Sequence, residues 1–188
     1  MSRESQKELT KNKIIESAKE LLKTKPLEEI SVEEITKNAN VAKGSFYVHF
    51  TKKEDILSFI ACQDIENIYN EIFKMAESSN IIDTIYSYMY KFTKGICDYG
   101  TKITISWLKI EIDEGCKCKY NENQLTKLFD FFISKKEIKN RCYDNEIYTI
   151  LSILYGNITL WCVNDELDLY KIITKDLVIT LIEKYLEV

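Results

Sequence analysis

An all-α fold of about nine helices is predicted for this 188-residue chain, on three observations. One proline and five glycines are too few to punctuate a sheet protein, so long helices joined by short polar connections are favoured. Apolar residues recur at helical spacing along most of the chain. Finally, 45% of residues are hydrophobic and 30% charged, enough for a true core and too apolar for a disordered chain. The expected organisation is a three-helix head over residues 1–52 and a helical body over residues 53–188.

In the first helix Ile14, Ile15, Ala18, Leu21 and Leu22 form one apolar stripe. Pro26 ends it, since proline cannot continue the hydrogen-bond ladder. "ISVEEI" follows, where Ser31 and Glu34 have capping-box spacing and Ile30 and Ile35 are placed to staple across it. That second helix has room only to about Asn38, and Asn40 is a plausible left-handed turn residue. A third short helix is expected over 42–49. A further capping box, "TKKE" from Thr51, opens a long fourth helix with Ile56, Leu57, Ile60, Ile65, Ile68 and Ile72 for burial.

After "ESSN" the pattern stays helical through Ile81, Ile85, Met89, Phe92 and Ile96, with Tyr86, Tyr88 and Tyr90 around them. "TKITISWLKIEID" alternates partly as a strand would, but no other strand candidate exists to pair with it, so it is read as helix. Residues 114–123 read as a loop. Leu125, Leu128, Phe129, Phe132 and Ile133 mark the next helix, and two helices close the chain on either side of "NDE".

Residues 1–53 carry 11 Lys/Arg against 8 Asp/Glu, a net +3, which leaves −7 for the rest. A basic head on an acidic body suits a nucleic-acid reader with a separate domain. No run of about 18 apolar residues is seen, and the charged N-terminus lacks the apolar stretch of a signal peptide. The expectation is therefore a cytoplasmic protein without a membrane partner. Six cysteines without an export signal read as reduced thiols buried in helices. Cys116 and Cys118 are an incidental surface pair or a redox pair. With one histidine in the chain and no Glu-x-x-His, no metal site, cofactor or catalytic centre is expected.

A short helix, a tight turn and a second short helix make a helix-turn-helix, whose second helix enters the DNA major groove. The residues suit that task. Gly44 and Ser45 are small enough for close approach, Lys43 can reach a phosphate or a guanine edge, and the Ser45 hydroxyl serves base or phosphate. Tyr47 and His49 carry polar tips on apolar bodies. Lys52 and Lys53 sit where the free N–H groups of the fourth helix also attract phosphate.

Residues 10–57, with Ile14 and Ala18, Ser31-Val32, Ile35, Val41, "KGSFYVHF" and "KKEDIL", resemble the DNA-binding head of TetR-family transcriptional regulators. The resemblance implies an all-α homodimer that represses transcription from a palindromic double-stranded operator until a small-molecule effector binds the body. It assigns DNA contacts to Ser31, Lys43, Ser45, Tyr47, His49 and Lys53, and core roles to Phe46 and Phe50. Three positions depart from the pattern: Asn40 replaces the usual Gly, Ala42 the usual capping Ser, and Pro26-Leu27 a Gly-aromatic pair.

The body offers Tyr86, Tyr90, Trp107, Phe129 and Tyr155 as core or as cavity lining; with Glu111 facing inward, a cationic lipophilic ligand would be suited. The last two helices are apolar over more than one stripe. That surplus suits either a thick monomeric core or a second burial partner; the resemblance implies a four-helix dimer interface, which would hold Ile147, Leu151, Leu154, Ile158 and Trp161, with Ile173, Leu177 and Leu181. A competing reading keeps the DNA-binding head but gives the body no task beyond dimerisation.

Overall fold

The computed structural model describes residues 3–113, 120–138 and 143–183. All regular structure among them is helical: α1 (Arg3–Leu22), α2 (Val32–Asn38), α3 (Lys43–Tyr47), α4 (Glu54–Ala76), α5 (Ile81–Asp113), α6 (Tyr120–Ser134), α7 (Asp144–Val163), α8 (Leu169–Ile172) and α9 (Lys175–Ile182), with a 3-10 turn at Leu27–Glu29. Internal contacts divide the chain into two compact units, Met1–Ala61 with Lys102–Gly115, and Cys62–Thr101 with Cys116–Val188. α4 and α5 each contribute to both. Cys116 and Cys118 and most of the expected 114–123 loop lie outside the described residues; α6 begins within the rest of it, at Tyr120.

In the first unit α1 buries Ile14, Ile15, Ala18 and Leu22 against Ile35 of α2 and Phe46 of α3, all nearly inaccessible. The buried Ser17 hydroxyl donates to the Ile35 carbonyl at 2.7 Å, fastening α1 to α2. α2 begins at the expected capping box. The Ser31 hydroxyl accepts the Glu34 N–H at 3.1 Å, and the Glu34 carboxylate accepts the Ser31 N–H at 2.9 Å. Lys25 adds an ammonium at 2.5 Å from the same carboxylate.

α2 ends in a turn through Asn40, whose φ of 53° is left-handed, as expected of Asn there. The Asn40 N–H donates to the Lys37 carbonyl and the Val41 N–H to the Thr36 carbonyl, at 3.1 and 3.0 Å. These paired bonds are a Schellman turn. α3 is shorter than expected, five residues rather than eight. Ala42 is its N-cap, extended and without a side-chain bond, so no hydroxyl holds the first turn.

Thr51 does not open α4. The helix starts at Glu54, and the Asp55 carboxylate accepts the N–H groups of Thr51 and Lys52 at 2.8 and 3.0 Å. Asp55 thus accepts the Thr51 N–H that the expected capping box assigns to the Glu54 carboxylate.

α5 absorbs the stretch that alternated like a strand. It is interrupted at Gly100, whose φ of 77° and ψ of 164° suit glycine alone. In the second unit Ile65, Tyr69 and Ile72 of α4, Ile85, Tyr88 and Phe92 of α5, Leu128 and Phe132 of α6, and Leu154 and Ile158 of α7 are buried. The final segment is two helices rather than one. Asp168 caps α8, and Thr174 accepts the Leu177 N–H at 3.1 Å to start α9, so the chain breaks at Ile173 and Thr174.

α7 is, among the described residues, long and apolar enough to cross a membrane by length and composition, which reading for an uninterrupted apolar run did not anticipate. It nevertheless buries one stripe, Glu146, Ile147, Ile150, Leu154 and Ile158, in the manner of an amphipathic core helix. Cys62, Cys97 and Cys162 are half-buried thiols outside any disulfide, and burial raises the pKa of Cys97 and Cys162.

The Lys25 ammonium, with the Ser31 backbone and hydroxyl, lowers the Glu34 carboxyl from the ordinary 4.5 to about 2. A depressed carboxyl pKa contributes stability above the unfolded value and loses it as pH falls towards the folded one. Glu34→Gln, which keeps a capping acceptor but not the ion pair, should therefore melt below wild type at pH 6. The difference in thermal midpoint should close between pH 4.5 and 2; a gap that persists at pH 2 would assign the loss to packing.

Candidate nucleic-acid interface

α3 has two faces set by its own sequence. Phe46 points inward and is fully buried, with Phe50 beside it at 5.7 Å between ring centroids. Phe50 meets Phe59 of α4 edge-on at 6.0 Å. On the outer side Lys43, Gly44, Tyr47 and Val48 are exposed, Tyr47 by 53% and Val48 by 63%. Ser45 and His49 are half-buried at the flank towards α1. A side chain at Gly44 would meet no protein atom, and its backbone does not require glycine. The protomer itself therefore gives no reason for Gly at 44.

The charged residues expected to grip DNA are already engaged. The Lys43 ammonium is paired with Glu33 of α2, which raises the lysine pKa and lowers the carboxyl. The pair is exposed, so it exchanges readily with solvent and with other anions. Lys53 is held more firmly: its ammonium donates to the Leu27, Glu28 and Ile30 carbonyls at 2.7, 3.1 and 3.0 Å. It closes the 3-10 turn before α2, a long-range role that local spacing does not announce. Ser31 uses its hydroxyl in the capping box, donating to Glu34 as well as accepting from it. Lys52 is exposed at the start of α4, but the N–H groups expected to attract phosphate there are those taken by Asp55.

Two further features lie in this unit. A groove of about 740 Å³ runs between the start of α1 and α3, lined by Arg3, Glu4, Gln6, Lys7, Thr10, Ser45, Val48 and His49. Burial, and then the charges of Lys7 and Lys11, lower the pKa of His49 against the weaker opposing pull of Glu8. A smaller groove of about 420 Å³ is lined by Glu28, Lys53, Ser106 and Lys109 among others. In it the buried Ser106 hydroxyl donates to Glu28 at 3.0 Å. Neither groove was legible beforehand, although Arg3, Lys7 and Lys11 fall at i, i+4, i+8, in line with Ile14 and Ala18.

The six residues proposed for a ligand are divided between the units, Trp107 and Glu111 in the first and Tyr86, Tyr90, Phe129 and Tyr155 in the second. Within the second, Tyr86 lies 6.1 Å from Tyr90, Tyr155 lies 6.2 Å from Phe92, and Phe129 stacks on Tyr143 at 5.3 Å. The four thus sit in three ring pairs, with Tyr86 and Tyr90 sharing one. A polar group that spacing did not single out is the Tyr88 hydroxyl, fully buried beside Tyr69, with the two ring centroids 5.0 Å apart. Burial raises its pKa strongly.

Of the residues expected at a dimer contact, Ile147, Leu154, Ile158 and Ile173 are buried inside the protomer, where a second copy cannot reach them. Ile147, Leu154 and Ile158 belong to the stripe that α7 packs on α6 and α9, and Ile173 ends α8. Leu151, Trp161, Leu177 and Leu181 are half-buried. The open face of α7 carries Tyr148, Ser152, Gly156, Thr159, Leu160 and Val163, with Leu160 59% and Val163 84% exposed.

Residues 14–59 match the family model of bacterial regulatory proteins, tetR family. The chain is 23% identical over 150 residues to the negative transcriptional regulator IcaR of the icaADBC biofilm operon from Staphylococcus epidermidis, spanning 77% of this chain and 79% of that one. Two solved structures share its fold. One is the transcriptional regulator FadR of Bacillus subtilis with stearoyl-CoA, at TM-score 0.66, 20% identity, and coverage of 93% of this chain and 97% of that one. The other is FadR of Thermus thermophilus with lauroyl-CoA, at TM-score 0.70, 15% identity, and 90% and 92% coverage.

Two substitutions separate surface from scaffold. Gly44→Ala should keep or raise stability, by up to about 1 kcal/mol from helix propensity, while affinity for duplex DNA falls about tenfold, ~1.4 kcal/mol. Lys53→Met should instead cost roughly 1–2 kcal/mol of stability through its three lost carbonyl bonds. Denaturant titration and fluorescence anisotropy on the same samples measure both. Wild-type affinity in Gly44→Ala would remove the close-approach role.

Proposed function

The chain belongs to the TetR family of bacterial regulatory proteins, and from that premise we propose that it is a sequence-specific DNA-binding repressor acting as a homodimer. The observation that carries the reading is the division of α3 into a buried Phe46 face and an exposed face of Lys43, Gly44 and Tyr47. The exposed face is small at its centre and polar around it, as a helix must be to lie against base edges. Lys43 would exchange Glu33 for the DNA, while Lys53 would act by fixing the turn from which α2 starts.

The open face of α7 supports the dimer. Ser152, Gly156 and Thr159 are small, and Tyr148, Leu160 and Val163 flank them. A side chain at Gly156 would meet nothing in the protomer. A small-residue face bordered by exposed apolar groups is suited to a second helix packed closely along α7. Two copies of α3 would then read half-sites about one DNA turn, ~34 Å, or a multiple apart.

For the body we propose effector binding, with release from DNA by population shift: the effector binds the DNA-incompetent form better than the competent one. Two fold relatives are regulators bound to stearoyl-CoA and lauroyl-CoA, which makes long-chain acyl-CoA the first effector class to test here.

The test is selection of duplexes from a random pool by the full-length protein, followed by titration of acyl-CoA into the resulting complex. An inverted repeat with half-sites one turn apart, and release by micromolar acyl-CoA, is the expected result. Failure to enrich any sequence would overturn the DNA-reading function. An enriched repeat that no acyl-CoA releases would leave the repressor standing and overturn the effector class.

A further inference from the structure

α1 starts at Arg3, eleven residues before the stretch that matches the family model. Its first seven residues, 3–9, are all exposed, so the core of the unit does not hold them. Those turns nevertheless continue the buried face of the helix. Arg3, Lys7 and Lys11 stand at i, i+4, i+8 in line with Ile14, Ala18 and Leu22. The stripe turns from apolar to basic where α1 runs past the core, and it faces the flank of α3 across the 740 Å³ groove.

The two walls of that groove differ in chemistry. α1 supplies the Arg3 and Lys7 cations, the Gln6 amide and one carboxylate, Glu4, with the Thr10 hydroxyl donating to the Gln6 carbonyl at 2.9 Å; the other wall is Ser45 of α3, then Val48 and His49 just after it. Lys11 is set apart, its ammonium 4.0 Å from the centre of the Phe59 ring. The groove thus gathers two cations and several neutral donors against one anion, beside the helix proposed to meet bases. Charge complementarity selects an anion with several acceptor oxygens, and next to α3 the anion present in quantity is the DNA backbone.

We infer that the α1–α3 groove seats a backbone phosphate of the bound duplex, held by Arg3 and Lys7 from α1, by Ser45 of α3 and by His49 just after it. The inference rests on the reading of α3 as the DNA-facing helix and widens that footprint to the start of α1. The contacts are independent of sequence, so they strengthen binding to any duplex alike.

The experiment measures affinity against salt for the full-length protein on two duplexes, the one it selects and a scrambled one. Each phosphate contact contributes about 0.9 to the slope of log affinity against log salt. The double substitution Arg3→Ala/Lys7→Ala removes one phosphate contact per groove and should lower the slope by about 1 per protomer on both duplexes, with the melting temperature unchanged because both residues are exposed. Lys13→Ala, which removes the same kind of charge from another face of α1, should leave the slope as it was. An unchanged slope in the double variant, or a fall matched by Lys13→Ala, overturns the seat. A loss confined to the selected duplex also overturns it, since the groove would then be reading bases. If wild type binds neither duplex, the DNA reading itself fails and the seat falls with it.

Discussion

Burial of Phe46 is the contact on which the head depends, because α3 is too short to be a helix by itself. Five residues cannot recover the cost of helix nucleation, and Ala42 provides no hydroxyl to hold the first turn. Tertiary anchoring replaces local stability. Phe46 locks the inner face against α1 and α2, Phe50 and Phe59 continue the contact into α4, and the Schellman turn at Asn40 fixes the angle of approach. The outer face of α3 is therefore rigid because of residues that never reach the surface.

The polar groups of the head are arranged largely for one another. Lys25, Ser31 and Glu34 close the start of α2, Lys53 gathers three carbonyls of the preceding turn, and Asp55 satisfies the two N–H groups ahead of α4. A count of basic residues thus overstates the charge on offer to an anion. Lys43 is committed only through an exposed ion pair, whereas Lys53 is committed through bonds that the fold uses.

The helices, the Ser31–Glu34 box and the left-handed Asn40 were legible because each depends on residues within about four positions, whereas the burial of Phe46 and Phe50 followed only from the family resemblance. What failed to show depends on distance in sequence. Lys53 reaches back 23 to 26 residues, and Asp55 rather than Glu54 accepts the Thr51 N–H. The last helix breaks at Thr174 because an N-cap there outweighs continuous apolar patterning. In α7 the sequence shows two apolar faces, and only packing decides that Ile147, Leu154 and Ile158 turn inward while Leu160 and Val163 stay open. The ligand residues were the least legible, since an aromatic side chain serves a core and a cavity equally well.

Gly44 and Gly156 have no steric role within the protomer, for a methyl group at either would touch nothing. Both sit in helices, where alanine is the better former. A library of this chain sorted only for yield or heat resistance would accordingly enrich alanine at both positions. Such a survivor would be a sturdier molecule carrying bulk on the two surfaces proposed for its partners, so folding-based screens and functional screens of this protein will rank the same substitutions in opposite order.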